Sequence, residues 1–544
     1  MTVNIGSISN LDNLPDDVLG IIFRQLELDE LVGLRCVGKG MNNRVTSLGI
    51  PLFLSLHRQP QLTLTPPPDQ WAPIDLVERN HYINRSLLKH RFHALQVGPT
   101  WPKSVIPTLE LTSDNLVVGV GSKVLVHPLE PPPVPQGDSY GSGSRVIHQA
   151  VEYDIRTKKD QGGKSDIIGI VPINGSRSEY IIAQFDGTIQ RVHLPSSPRH
   201  SNGHSCLPQI KARYSFSFNQ PKESINTLVG TTDSRQFMTT SVSGLVQVYS
   251  THSPWTDCTS LQLKSPRAWS SLLSNLYDTS LGPMAILGIQ GGAELYPLLP
   301  TGLAQSPSRK LIGPDEPLLS SPYALTLPDT AQTSHNPNLL LSGWYDSHLR
   351  IHDLRHHTRS PVRQFSDQYT WSDGAAYYSA CFAGEHHIAG GTSKHGTVSF
   401  FDMRNSKLPT STFQLGVEVG KEERRGWSCF SPNGKGSPVY SLRFDNGKLY
   451  GVTERRSFVL SFDRSGEIQN GILSSDLQHL MIMQNNRNRD KGRYAPNGYK
   501  ARGGKWTWSV RNGGDQDGDV NDVAVGYEHT SKGGVELFDS SVAK

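Results

Sequence analysis

Gly137-Asp138-Ser139-Tyr140-Gly141 has the spacing of a nucleophile elbow, in which a strained strand-to-helix turn exposes a serine. The pentad sits in a Pro/Gly/Ser stretch with no strand before it and no helix after it, so nothing would hold that serine in the reactive turn. Gly163-Lys164-Ser165 ends like a phosphate-binding loop, but Lys158 stands where the leading glycine belongs, and no backbone cradle can form. Asp515, Asp517 and Asp519 are spaced like calcium ligands, yet Gly526 occupies the position that needs a bidentate Glu. His356-His357 and His386-His387 are adjacent pairs, which on extended backbone point to opposite sides and make a poor metal site. Cys36, Cys206, Cys258, Cys381 and Cys429 are scattered and odd in number, with no C-x-x-C pair, so neither a zinc site nor a disulfide framework is expected. The residue patterns predict no enzyme, no metal and no cofactor.

What the chain must position is therefore a surface. Its 544 residues include 51 Gly and 36 Pro, above the roughly 7% and 5% of average usage, which favours many turns and short strands. The net charge of +4, from 53 basic and 49 acidic residues, is too balanced to single out nucleic acid or an anionic membrane as partner. No charged start followed by an apolar run marks a signal peptide, and no apolar stretch approaches a bilayer span. The expected location is the cytoplasm, the nucleus or both. The sequon Asn174-Gly175-Ser176 would then meet no glycosylation machinery.

The N-terminal fifty-odd residues read as short helices. Pro15 suits a first helical position, and Asp16 and Asp17 complement the positive end of the helix dipole. Val18, Leu19, Ile22, Phe23 and Leu26 then form one apolar stripe at helical spacing. Asp29 is expected to cap a second helix carrying Leu31, Leu34, Val37 and Met41, with Gly38 and Gly40 weakening its end. A third apolar group, Ile50, Leu52, Phe53, Leu54 and Leu56, follows Gly49. About 40 residues cannot bury enough surface to be stable alone, so a partner is implied. This segment resembles the F-box, assigned here to residues 8–57, with Phe53 in place of the Trp often found near the end of that motif. The resemblance implies docking on a Skp adaptor, with contacts from Leu14, Pro15, Val18, Leu19, Ile22, Phe23, Leu31, Leu34 and Val37, some of which must also form the motif's own core.

Residues 58–100 read as a linker: a Pro-rich break at Thr65-Pro66-Pro67-Pro68, then a helix whose apolar positions include Leu76, Val77, Ile83, Leu87, Leu88 and Phe92. From residue 101 to 544 one theme repeats, a short apolar strand, a small-residue turn and an alternating strand closing on an aromatic or His, often followed by Asp. The clearest copies end in Ile351-His352-Asp353-Leu354-Arg355 and Phe400-Phe401-Asp402-Met403-Arg404; the last ends in Leu537-Phe538-Asp539. These copies resemble WD40 repeats in which Trp-Asp has decayed. They imply a mainly β fold, a WD40-like β-propeller of seven or eight blades, eight by the count of closing strands, behind a small all-α F-box and a linker helix. Loop insertions are placed near 131–144 and 485–519.

In WD40-like propellers the turns between the second and third strands of the blades share one face. Here those turns carry Lys123, Asp186, Tyr345, Asp346, His348, Lys394, His395, Arg455, Arg456 and Lys532. The resemblance implies a substrate surface there. Tyr345, His348, Lys394, His395, Arg455, Arg456 and Lys532 are its candidates for a phosphorylated or acidic protein segment, because charge-assisted Arg–phosphate contacts are short and strong. A basic-aromatic run from Arg487 to Trp508 could stack on RNA, but Gly and Asn dominate between its charged residues and nucleic acid is not the expected partner. The expected function is substrate recognition in a Skp–cullin–F-box ubiquitin ligase, without catalysis by this chain. The competing reading is an F-box/propeller scaffold outside ubiquitylation, for example in RNA or vesicle traffic.

Overall fold

The computed structural model describes residues 14–56, 72–130 (apart from 99 and 102–104), 146–155, 165–195 (apart from 174–177) and 223–313 (apart from 253–257, 266 and 276–280). It further describes 320–328, 336–405 (apart from 368–369 and 371–372), 426–463 (apart from 433–435), 480–481, 526–529 and 537–538.

Pro15 precedes helix α1 (Asp16–Phe23), as its fixed φ predicts. Helix α2 (Leu28–Arg35) is capped by Glu27, not by Asp29. Glu30, three residues on, accepts from the Glu27 N–H at 2.8 Å and completes a capping box, so the expected cap Asp29 falls in the first turn. Gly38 precedes α3 (Lys39–Arg44), which takes Met41, and a π-turn at Val45–Gly49 leads into α4 (Ile50–Leu56). Leu19, Phe23, Leu31, Met41, Val45 and Ile50 form the buried core of this module, joined by Val77 from helix α5 (Pro73–Leu88). At about 1.5–3 kcal/mol per buried side chain of this size, such a core is small. Val77 ties its stability to the linker helix.

The remaining strands form seven separate antiparallel sheets, each one blade. Blade 1 opens with Thr108–Leu111, blade 2 with Ile167–Pro172 and blade 3 with Ile225–Gly230. Blades 4 to 7 open with Ser270–Ser274, Pro322–Thr326, Tyr377–Ala383 and Val439–Asp445. Each opening strand contacts the opening strand of the next blade, and that of blade 7 contacts that of blade 1, so the ring closes around these innermost strands. Close approach between blades requires glycine in places: a Cβ on Gly391 would stand 2.6 Å from the Val439 side chain of blade 7.

The count is seven, not eight. The last repeat copy, at Leu537–Phe538, pairs with Gly526–His529, which extends the outer edge of blade 6 beyond Gly426–Phe430. No gap remains for another blade, because His93–Val97 pairs in full register with Ser457–Ser461 and becomes an outer strand of blade 7. The propeller's first strand thus lies ahead of residue 101, where the sequence reading begins the propeller, and it joins the two ends of the ring by backbone hydrogen bonds. The proposed insertions at 131–144 and 485–519 lie outside the described residues.

The decayed Trp-Asp signal has a structural basis. Asp353 accepts the Arg355 N–H and holds its guanidinium in a two-pronged contact, Nε at 3.0 Å and Nη2 at 2.6 Å. Asp402 and Arg404 repeat this in the next blade at 3.0 and 2.7 Å. The carboxylate fixes the turn that follows the third strand, while the ring before it, His352 on the Ile312 carbonyl or Phe401 in the core, holds the strand itself.

Candidate functional site

The helical module divides its apolar residues between core and surface. Leu19, Phe23 and Leu31, three of the residues expected to touch an adaptor, are sealed in the core. They pack with Val45 and Ile50 into the module's own core, Phe23 and Leu31 both against Gly49 of the π-turn. Leu14, Ile22 and Leu34 are half-buried, and Pro15, Val18 and Val37 are exposed, Val18 by 40% and Val37 by 71%. Ile21, 64% exposed, belongs with them and was not among the expected residues. Its sequence signal is weak, since a single apolar residue off the core-facing stripe is common on protein surfaces, and it gains weight only beside exposed Val18 one turn away. An apolar surface is therefore left over after the module has packed.

Helix α5 seats this module on the propeller. Ile83 packs against Gly447, in the turn between the first and second strands of blade 7, where a Cβ would lie 2.7 Å from Ile83 Cδ1. Arg79 donates to the Asn446 carbonyl of the same turn at 3.1 Å. It also pairs with Asp463 at 3.6 Å, both side chains nearly fully buried. Asp463 follows Phe462 as Asp353 follows His352. Here the carboxylate is met by Arg79 from α5 and by Lys448 at 3.3 Å, so the residue that ends a repeat elsewhere anchors the linker helix in blade 7. Asn84 reaches Glu385 in the corresponding turn of blade 6 at 3.1 Å. First-to-second-strand turns and second-to-third-strand turns lie at opposite ends of the second strand. The helical module consequently joins one face of the ring and the candidate turn residues occupy the other.

On that second face the turns do not pool their charge. His348 Nδ1 contacts the Asp346 carbonyl at 2.8 Å, and Arg350 meets the Asp346 carboxylate at 2.7 and 3.1 Å. Burial alone would push the Asp346 carboxyl up, but His348 and Arg350 outweigh it and hold it at about 2. Lys394 donates to the Asp373 carbonyl and His395 Nε2 contacts the Asp373 carboxylate, each at 2.5 Å. Arg456 donates to Gln96 at 3.0 Å, and Lys123 pairs with Glu152. Arg455 is exposed. Lys532 lies outside the described residues. Lys394, His395, His348 and Arg456 of the expected basic set thus each have a partner in or near their own turn, and Arg455 is left exposed.

What the ring does bring together is aromatic. In blade after blade, one residue precedes the first-strand partner of the penultimate residue of the second strand. It is Ile168 in blade 2, Asn226 in blade 3, Trp269 in blade 4, Tyr323 in blade 5, Tyr378 in blade 6 and Tyr440 in blade 7. In all but blade 4 the register shifts at this residue, a bulge that re-aims the side chain. Trp269 and Tyr323 have ring centroids 5.1 Å apart, Tyr323 and Tyr378 5.3 Å, and Tyr378 and Tyr440 6.0 Å. Tyr345, 58% exposed, joins from its turn at 5.8 Å from Tyr323. Arg267 lies over the Trp269 ring at 4.2 Å and donates to Asn226 Oδ1 at 2.7 Å. Burial first, then the neighbouring tyrosines, raises the phenols of Tyr323 and Tyr378, so both are protonated donors at neutral pH. Of this group the sequence reading singled out Tyr345 alone. Tyr323, Tyr378 and Tyr440 were legible only as the second residue of each opening strand, and strand assignment to that accuracy is needed to align them.

Among the described residues no group of three His, Cys, Asp or Glu could hold a metal ion, and no helix is long and apolar enough to cross a membrane.

The F-box domain family is matched over residues 11–52. A stretch of 127 residues, 23% of this chain, is 29% identical to the mouse (Mus musculus) F-box/WD repeat-containing protein 4, of whose length it spans 26%. Among solved structures, Chaetomium thermophilum Raptor aligns at TM-score 0.41 with 14% identity, covering 69% of this chain and 30% of that one. Sqt1 of the same organism, bound to the N-terminus of a ribosomal protein, aligns at TM-score 0.41 with 13% identity, covering 64% and 81%.

Proposed function

We propose that this F-box/WD-repeat protein is the substrate-receiving subunit of a Skp–cullin–F-box ubiquitin ligase. Its helical module docks on the Skp adaptor, and the face of the propeller away from α5 receives a segment of the protein to be modified. One observation carries this reading: the module stays partly uncovered at Val18, Ile21 and Val37 while α5 fixes it to the face opposite the aromatic arc. Such a body holds two partners at a set separation. The ligase then gains rate by raising the effective concentration of a substrate lysine near a loaded conjugating enzyme, and no acid, base or nucleophile is asked of this chain.

The adaptor half is tested by co-expression with a Skp adaptor and affinity capture. Ile21→Asp with Val37→Asp places charge on exposed positions, so the fold should survive while capture falls by at least about tenfold, the loss expected of interface anchors. Undiminished capture by a folded double variant would overturn the reading. Recovery of a Skp adaptor without cullin would instead favour the scaffold alternative.

A further inference from the structure

We propose that the arc Trp269–Tyr323–Tyr378–Tyr440, with Tyr345 and Arg267, is a docking rail for a proline-rich segment of a partner protein in the polyproline II conformation, with an acidic residue seated at Arg267. The inference rests on the assignment of this face as the protein-binding one and names the class of segment it takes.

Three features of the arc select that class. The first is shape. Adjacent rings are tilted by 27° to 35° and spaced 5.1 to 6.0 Å, giving a continuous ridged surface across blades 4 to 7. A polyproline II chain has three residues per turn of about 9.3 Å, so the two residues of each turn that face the surface meet about one ring each, and its stiffness means little entropy is lost on docking.

The second is hydrogen-bond polarity. Proline-rich chains carry carbonyl acceptors and few N–H donors. The rail can supply donors to them: the phenolic hydroxyls of Tyr323, Tyr345, Tyr378 and Tyr440 make no hydrogen bond among the described residues, and each can donate to a carbonyl.

The third is charge. Arg267 already covers the Trp269 ring, which leaves that π-face closed to an added cation and argues against a methylated lysine. The same guanidinium makes the blade 4 end of the rail positive, so a carboxylate there is complementary. At the other end Tyr440 lies near Glu454, which disfavours an anion and sets the direction of the segment.

The test is fluorescence anisotropy of full-length protein with a labelled oligoproline peptide bearing one terminal glutamate. Comparison peptides replace the prolines by alanine, carry a phosphoserine without proline, or carry trimethyl-lysine. The oligoproline should bind tightest, and Tyr345→Ala or Tyr378→Ala should weaken it by about tenfold. Tyr323→Phe with Tyr378→Phe keeps the rings and removes two donors, so a smaller loss separates hydrogen bonding from stacking without risk to the fold. Arg267→Ala should abolish the advantage of the terminal glutamate. Equal binding of the alanine peptide, preference for the phosphoserine or trimethyl-lysine peptide, or no binding at all would overturn the proposal. Adaptor capture by the tyrosine variants should be unchanged, so failure here is distinguishable from failure of the receptor assignment.

Discussion

His127, His352 and His387 are buried in blades 1, 5 and 6, and burial holds each imidazole down at about 4, against an ordinary value of 6.5. His352 Nε2 contacts the Ile312 carbonyl at 3.2 Å and His127 Nδ1 the His148 carbonyl at 3.2 Å, so these rings serve as neutral donors inside the sheet. Well above pH 6.5 the three are neutral folded or unfolded and contribute no pH dependence. As pH falls from 6.5 towards 4 the unfolded chain takes up protons that the folded chain refuses, so stability declines across that window. Thermal unfolding measured from pH 7.5 to 4.5 should show this decline, and His127→Gln, His352→Gln and His387→Gln combined should flatten it; an unchanged slope would show that other groups carry it. At this scale the sequence was a partial guide. The His-Asp and Phe-Asp endings correctly marked the third strands, whereas the local partners of Lys394, His395 and Arg456 were legible only in the structure.

At the scale of elements, the strand His93–Val97 does more than its length suggests. It pairs residue for residue with Ser457–Ser461, more than three hundred positions away, and so closes the ring. A chain beginning at residue 101 would leave an open edge on blade 7 and expose the apolar faces that Ala94 and Phe92 cover. Such a truncation should unfold at a clearly lower temperature or aggregate, compared with a chain beginning at residue 72; equal melting of the two would show that the ring closes without it. The strand was hidden in the sequence because five residues behind a helix carry too little periodic signal, and pairing across the whole chain is not a local property. The helices of the N-terminal module were easier to see. Their caps and stripes act within one or two turns, although burial of Leu19 and Leu31 against exposure of Ile21 depended on where α4 and α5 came to lie.

For the whole molecule, the buried contact of Arg79 with Asp463 and the Asn446 carbonyl makes two modules one body. Removing Arg79 takes away the contact to the Asn446 carbonyl and one of the two cations on Asp463, with Lys448 remaining, so the cost falls below the roughly 3 kcal/mol of a fully unpaired buried charge. Arg79→Ala should therefore loosen α5 from blade 7. Proteolysis in the linker should accelerate while adaptor capture and peptide binding by the separate faces persist, and a variant as protease-resistant as the parent would show that Ile83 and Asn84 suffice. On the proposed receptor function, a looser joint lowers the effective concentration of substrate at the transfer site, so modification should slow with binding intact. The sequence by itself determined the order of modules, the helical start at Pro15 and the β-repeats, since these follow from composition and from patterns within a few residues. Only the tertiary structure decided that the blades number seven, that α5 and the turn residues occupy opposite faces, and that Trp269, Tyr323, Tyr378 and Tyr440 stand side by side. Those outcomes depend on how a closed ring brings together strands far apart in the chain, and no local pattern encodes that distance.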